Sequence, residues 1–464
     1  MRVLVVSPEA GPWPSASTLA DSVNALVSAY LELGTEVRVY SPMYHRENEP
    51  KSLISDIYQG FERIRGEAFS IGTIPKSPYY FVQHAGYFDR SGPYNDVDHI
   101  PFWDNHYRFS LLASAALLHA LETGFIPDLI HCHEWGGALT AAYARHAYAD
   151  AFGKIPVFLT IHNLEYDFHF LEHDIERVGL DRADYHIDGF EFWGKVSMLK
   201  AGILYADKVV FPSDGYRRQV LEHDFAGGLR GFLELNQAKV TSSQYGIDYS
   251  AWASFPVTDG VVHKQKAKEK FQQEHGLSVD SSFLVYCHLD RETMRTADTL
   301  FTILTDLFHL PLQLVIGLPA EHTERDYFQA LAQQNSGRMA LILLEQGTRN
   351  HRAALAASDL LFLAQTDEPS ASLILKALAN GVIPLTCHNL GCADLLISFE
   401  GENLDKADAI LVQDPWPDQM LRSLRMALDL YSSDRQDWNR LVQNALTFKY
   451  SWEKSASTYL QWII

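Results

Sequence analysis

Short apolar runs and helical runs alternate along this chain of 464 residues, and the alternation breaks once and starts again. That doubled rhythm constrains the fold more than any other feature. The first half offers strands at 3–7, 37–40, 129–133, 157–162 and 208–212, with helices from Thr18 to Gly34 and at 136–148 and 194–206. A looser region at 254–263 leads into a Lys-rich polar helix, and strands return at 283–288, 312–318, 339–345, 360–364 and 383–388. Short strands alternating with helices predict parallel sheets in an α/β architecture. The expected domains are 1–250 and 263–448, each doubly wound, followed by a terminal helix over 449–464 with Trp452, Tyr459, Leu460 and Ile463 on one face. In such sheets ligands bind beyond the carboxyl ends of the strands, so the strand-end loops are where chemistry is sought.

Composition narrows the partners. Lys and Arg total 38 against 58 Asp and Glu, a formal charge of −20. A nucleic-acid binder would show a basic face, so nucleic acid is not an expected partner. An anionic substrate would need a local positive spot inside an unfavourable field. Cys132, Cys287, Cys387 and Cys392 are scattered without Cys-x-x-Cys spacing, which predicts reduced core residues and no metal site. No apolar run reaches membrane-spanning length, and the expected location is the cytoplasm. The first βα turn lacks G-x-G-x-x-G, and no G-x-S-x-G elbow occurs, which disfavours a dinucleotide enzyme and a serine hydrolase. Nothing marks the paired carboxylates of a glycoside hydrolase.

Several strand-end segments carry a family likeness. The longest is Gly189-Phe190-Glu191-Phe192-Trp193-Gly194-Lys195, continuing through Ser197-Met198-Leu199-Lys200-Ala201-Gly202 to Tyr205-Ala206-Asp207. With it go His131-Cys132-His133-Glu134-Trp135, Thr160-Ile161-His162-Asn163-Leu164, Gly228-Leu229-Arg230-Gly231, and Gly246-Ile247-Asp248 with Trp252. Farther on come Glu368-Pro369, Gly381-Val382-Ile383-Pro384-Leu385, Ala393-Asp394 and Ser451-Trp452. Together these resemble the bacterial glycogen synthase and plant starch synthase family over nearly the whole chain. The resemblance implies the GT-B fold: two Rossmann-like domains with a cleft between them, hinged near 246–262, and a C-terminal helix crossing back to the first. It implies a retaining glucosyltransferase that uses ADP-glucose or another nucleotide-glucose, with an α-1,4-glucan acceptor, no cofactor and no metal.

The chain departs from the family pattern where phosphate would bind. In the loop Glu9-Ala10-Gly11-Pro12-Trp13-Pro14-Ser15-Ala16-Ser17-Thr18, Ser15 stands for the family's lysine, and Ser17 and Thr18 stand for two glycines. A strand feeding a helix still offers N–H groups and the positive helix end to an anion. His288 stands for an arginine, while Arg295, or alternatively Arg291, aligns with a lysine. Ser370-Ala371-Ser372 replaces a glycine-containing loop, Gly391 survives from a glycine pair, and Tyr245 takes an asparagine's place.

The resemblance assigns catalysis to His162 and Glu368, and nucleotide-sugar binding to Ser15, Ser17, Thr18, His288, Arg295, Ser370, Ala371, Ser372 and Gly391. It assigns the acceptor side to Glu134, Trp135 and Asp21. Each has a plain structural alternative. His162 could cap its loop, Glu368 and Glu134 could favour a helix start, and Arg295 could be a solvated helix arginine. Lys200 and Glu191 belong to the longest motif and could report packing between domains. His288 could replace an arginine only when protonated. Two further function classes stay open: a glucan-binding or regulatory partner of a true synthase, and a transferase with another donor or acceptor.

Overall fold

The computed structural model describes residues 1–12, 18–44, 55–98, 100–164, 167–222, 226–289, 294–319, 322–344, 348–364, 371–447 and 450–463. Contacts divide them into two compact units, one holding the chain up to Gln244 together with Trp452–Ile464, the other Tyr245–Ser451.

The first unit is built on a main sheet of nine described strands and a smaller one of three. Five precede the long central helix: β1 Arg2–Val6, β2 Glu36–Pro42, β3 Ser55–Phe61, β4 Ala68–Thr73 and β5 Tyr79–Gln83. Next come β6 Leu129–His133 and β7 Val157–Thr160, then a small three-stranded sheet of β8 His169–Phe170, β9 Glu191–Phe192 and β10 Lys195–Ser197. β11 Lys208–Phe211 and β12 Val240–Ser242 complete the main sheet. Its order is β12-β11-β7-β6-β1-β2-β5-β4-β3, parallel from β12 to β5 and antiparallel at β4 and β3. Chain order reverses at β1, with β2 on one side and β6 on the other, so the loops after β1 and β6 flank the switch point.

Two glycines let helices approach closely there. A Cβ on Gly137 would lie 2.7 Å from the Val6 carbonyl oxygen, so helix Glu134–Arg145 can press on the end of β1. A Cβ on Gly202 would meet Ala138 Cβ at 2.5 Å, which seats helix Met198–Tyr205 against the first. Helix Asn105–Glu122 is buried on nearly every side and forms the floor of this core. Helix Trp452–Gln461 packs on the first unit: the Tyr459 ring lies 4.6 Å from that of His131, and Ser455 Oγ donates to the Gln244 carbonyl.

The second unit has six parallel strands, β13 Phe283–His288, β14 Leu312–Leu318, β15 Met339–Leu343, β16 Leu360–Phe362, β17 Ile383–Cys387 and β18 Ile410–Val412. Their order, β15-β14-β13-β16-β17-β18, reverses at β13. All four cysteines are buried, and none is in a disulfide. The core also holds a charge pair: Asp359 accepts from Lys268 Nζ and from the Leu284 N–H at 2.8 Å, and Lys268 also donates to Tyr431 Oη at 2.9 Å. Both side chains are almost fully buried. Asp359→Ala should therefore destabilise the protein by about 3–5 kcal/mol, because it strands a buried ammonium. Urea unfolding of the variant checks this.

Several elements differ from sequence expectation. The helix expected over 194–206 begins only at Met198, because Trp193 and Gly194 (φ 51° and 77°) turn the β9–β10 hairpin. Strand β7 stops at Thr160, two residues short of expectation. The linker expected over 246–262 is part of the second unit, with Ile247 N–H donating to the Tyr450 carbonyl at 3.0 Å. Asn380 ties it down by donating to the Trp252 carbonyl at 2.9 Å and accepting from the Ser254 N–H at 3.2 Å.

Candidate active site

At the centre of the first unit, three histidines stand in a row on one sheet face. His131 and His133, two residues apart on β6, share a face because strand side chains alternate. Their rings lie 4.4 Å apart, and the His133 ring is 5.6 Å from that of His162, just past β7. Each is held by its neighbours. His131 Nδ1 is 3.1 Å from Tyr30 Oη and its Nε2 is 2.7 Å from Thr160 Oγ1; Thr160 in turn is 3.3 Å from Tyr459 Oη. His133 Nδ1 is 3.3 Å from His162 Nε2. Burial lowers His131 to about 3 and His162 to about 4, and lowers His133 as well, so all three rings are neutral at neutral pH.

Glu134 fixes the loop that His162 begins. Its Oε1 accepts the His162 backbone N–H at 2.6 Å, while its own backbone adopts φ 55°, a left-handed conformation that a non-glycine residue takes at a cost of about 1 kcal/mol. Strain held at a strand end, beside a histidine, is a common mark of a working site. Trp135, next in the chain, is buried edge-on to Phe109 at 4.8 Å and against Tyr94 at 5.3 Å. Tyr94 Oη donates at 2.8 Å to Glu9 Oε1 in the loop after β1. Burial raises the Tyr94 hydroxyl, and the negative charge of Glu9 raises it further. Glu9 and Tyr94 were not among the sequence candidates. Glu9 had a signal, a carboxylate just past the first strand; Tyr94 had none, since it comes from an irregular loop.

The structure thus brings His162, Glu134 and Trp135 together with His133, Glu9 and Tyr94. Asp21 is half-buried in the first turn of helix Thr18–Glu32, and Thr18 is that helix's first residue. Ser15 and Ser17 lie outside the described residues. Lys200 is held within the first unit: its ammonium donates to the carbonyls of Ile187 at 2.8 Å and Glu191 at 2.5 Å.

In the second unit, His288 ends β13 beside the switch point. Its Nδ1 is 3.1 Å from Tyr286 Oη, and its ring stacks on His351 at 4.8 Å. Burial, then the neighbouring His288 and Lys376, push His351 well down. Lys376 lies on helix Ser372–Leu378 with its ammonium 3.9 Å from the Trp252 ring centre, and Trp252 meets His351 edge-on at 5.4 Å. This cation escaped the sequence reading because it sits inside an apolar helical pattern (Leu373-Ile374-Leu375-Lys376-Ala377-Leu378). Ala371 precedes that helix, Ser372 opens it, and both are buried; Gly391 is buried in the turn after β17. Glu368, Ser370, Arg291 and the side chain of Arg295 lie outside the described residues.

The neutral histidines couple stability to acid. His119, lowered to about 4 by burial and then by Arg38, joins His131 and His162. In the folded chain these rings stay unprotonated down to pH 3–4, whereas in the unfolded chain they take protons near pH 6.5. The unfolded state therefore binds more protons between those limits. Their contribution is fully present above pH 6.5 and falls with pH by about 1.4 kcal/mol per unit per histidine. Urea midpoints measured from pH 7.5 to 5 should drop steeply below about 6.5; a flat profile would contradict the assignment.

Comparison with known proteins agrees over the full length. The family model of the starch synthase catalytic domain matches residues 2–235. A glycogen synthase of Albidiferax ferrireducens is 30% identical over 99% of this chain and 98% of its own. One from Yersinia pseudotuberculosis is 29% identical over 99% of both. The catalytic domain of starch synthase IV from Arabidopsis thaliana, solved with ADP and acarbose, superimposes with a TM-score of 0.88 at 23% identity, covering 99% of this chain and 98% of that one. With two doubly wound units and this match, the fold is GT-B, and the chain belongs to the starch synthase catalytic domain family, glucosyltransferases of the glycogen and starch synthase type.

Proposed function

We propose that this glucosyltransferase takes glucose from ADP-glucose and adds it to the non-reducing end of an α-1,4-glucan with retention. The bond between the anomeric carbon and the diphosphate breaks, and its electron pair leaves with ADP. An acceptor hydroxyl oxygen bonds to the same face of that carbon, and its proton passes to the departing phosphate.

The observation that carries the reading is His162, held at a central strand end by Glu134 and His133. Positive charge develops at the anomeric carbon as the leaving group departs, and a neutral imidazole beside it does not oppose that charge as an imidazolium would. Glu368 is assigned to the sugar hydroxyls, and Glu134, Trp135 and Asp21 to the acceptor side. On the donor side, Ser15, Ser17, Thr18, Ala371, Ser372, Ser370 and Gly391 are assigned as backbone and hydroxyl contacts, with His288 and Arg295 toward phosphate.

The loss of a lysine and an arginine at Ser15 and His288 favours one second reading, a glucan-binding partner of an active synthase. Proton NMR of products from ADP-glucose and a maltooligosaccharide separates the two. New α-1,4 linkages support transfer with retention; β linkages overturn retention; unchanged substrates support the second reading.

A further inference from the structure

The β9–β10 hairpin holds a tryptophan where the backbone discourages one. Phe192 pairs with Lys195, which leaves Trp193 and Gly194 as the two turn residues, both at positive φ. Such turns favour Asn or Gly at the first position, and a bulky residue there is an outlier. Trp193 is nevertheless 86% exposed, with its indole edge-on to Phe192 at 6.4 Å, and Phe192 stacks on His169 at 4.8 Å. An exposed indole on an unfavourable turn does nothing for the core.

The aromatic pair is continuous with the candidate active site. A Cβ on Gly228 would lie 3.1 Å from Phe192 Cζ and 3.7 Å from Trp193 Nε1, and one on Gly227 would lie 3.4 Å from the Leu164 carbonyl oxygen. Leu164 is two residues beyond His162. Among the described residues, the Gly227-Gly228 turn therefore sits against both the chain just past His162 and the aromatic tip. Arg230 is paired with Glu234 at 2.9 Å, and Glu191 accepts from the Gly194 N–H at 2.6 Å. Together with a net charge of −20, this disfavours a polyanion and suits a neutral polyhydroxyl chain whose C–H faces stack on aromatic rings.

We propose that Phe192 and Trp193 form an outlying acceptor subsite, on which a long α-glucan rests while its end lies at the His162 loop. The inference depends on the glucan acceptor proposed above. It predicts a preference for long chains over short oligosaccharides, since only a long chain spans the glycine turn.

The test is Trp193→Asn, which suits the turn, beside Trp193→Phe, which keeps a ring. Retention on native gels containing glycogen and KM for glycogen should each weaken about three- to tenfold in the Asn variant. Its melting temperature should be unchanged or higher, and kcat and KM with maltotriose should stay at wild-type values. Trp193→Phe should keep most of the glycogen affinity. Wild-type glycogen affinity in Trp193→Asn, or equal losses in both variants, overturns the subsite while leaving the proposed function standing. So does an altered oligomeric state on sedimentation with glucan affinity unchanged, which would assign the tip to a second copy of the chain. A wild-type protein that neither retains nor extends glycogen overturns both.

Discussion

Replacing His162 with alanine should lower turnover with ADP-glucose and glycogen at least about tenfold while leaving glucan retention near wild type. Removing a transition-state contact of even about 1.4 kcal/mol has that effect on rate. The separation is expected because His162 is assigned to the sugar being transferred, whereas a polymer lying on the protein surface touches other groups. Folding should survive: the column keeps His131 with its Tyr30 and Thr160 contacts, and Glu134 still receives the backbone N–H of residue 162. Steady-state rates beside affinity gels measure both quantities. Wild-type turnover in the variant would remove His162 from the reaction.

The second large effect is a gain. Ser15→Lys with Ser17→Gly and Thr18→Gly, combined with His288→Arg, should raise glucosyl transfer by on the order of tenfold or more, since each lost charged partner of a diphosphate typically costs that much in rate. His288 already stacks flat on His351 at 4.8 Å, an arrangement that a planar guanidinium can adopt. ADP affinity should rise in parallel as the site gains fixed cations close to the phosphates. No gain, with circular dichroism unchanged, would mean that the donor side has diverged beyond these positions and would favour the glucan-binding reading.

The parallel cores were legible because their strands are continuous apolar runs buried on both faces, as in Val3-Leu4-Val5-Val6 and Phe283-Leu284-Val285-Tyr286. The antiparallel extension was not. β3 is exposed along most of its length, so Ser-Asp-Ile-Tyr-Gln-Gly-Phe carries little burial pattern. Helix Asn105–Glu122 has no polar stripe to announce its period because it is sunk in the core. At the site, His162, Glu134 and Trp135 were legible as strand-end residues. Tyr94 was not, because its partner Glu9 is 85 residues away and the contact exists only after folding. Lys376 was hidden for the opposite reason: its sequence neighbours are apolar, and the Trp252 ring comes beneath its ammonium through folding.

Incorporation of label from ADP-[14C]glucose into glycogen by the wild-type protein is the most direct test of the account. The prediction is label that accumulates with time in the precipitated glucan, depends on added primer, and is released by an enzyme that cleaves α-1,4 linkages. Glucan that binds the protein but gains no label, at any donor concentration and at low salt, would contradict it.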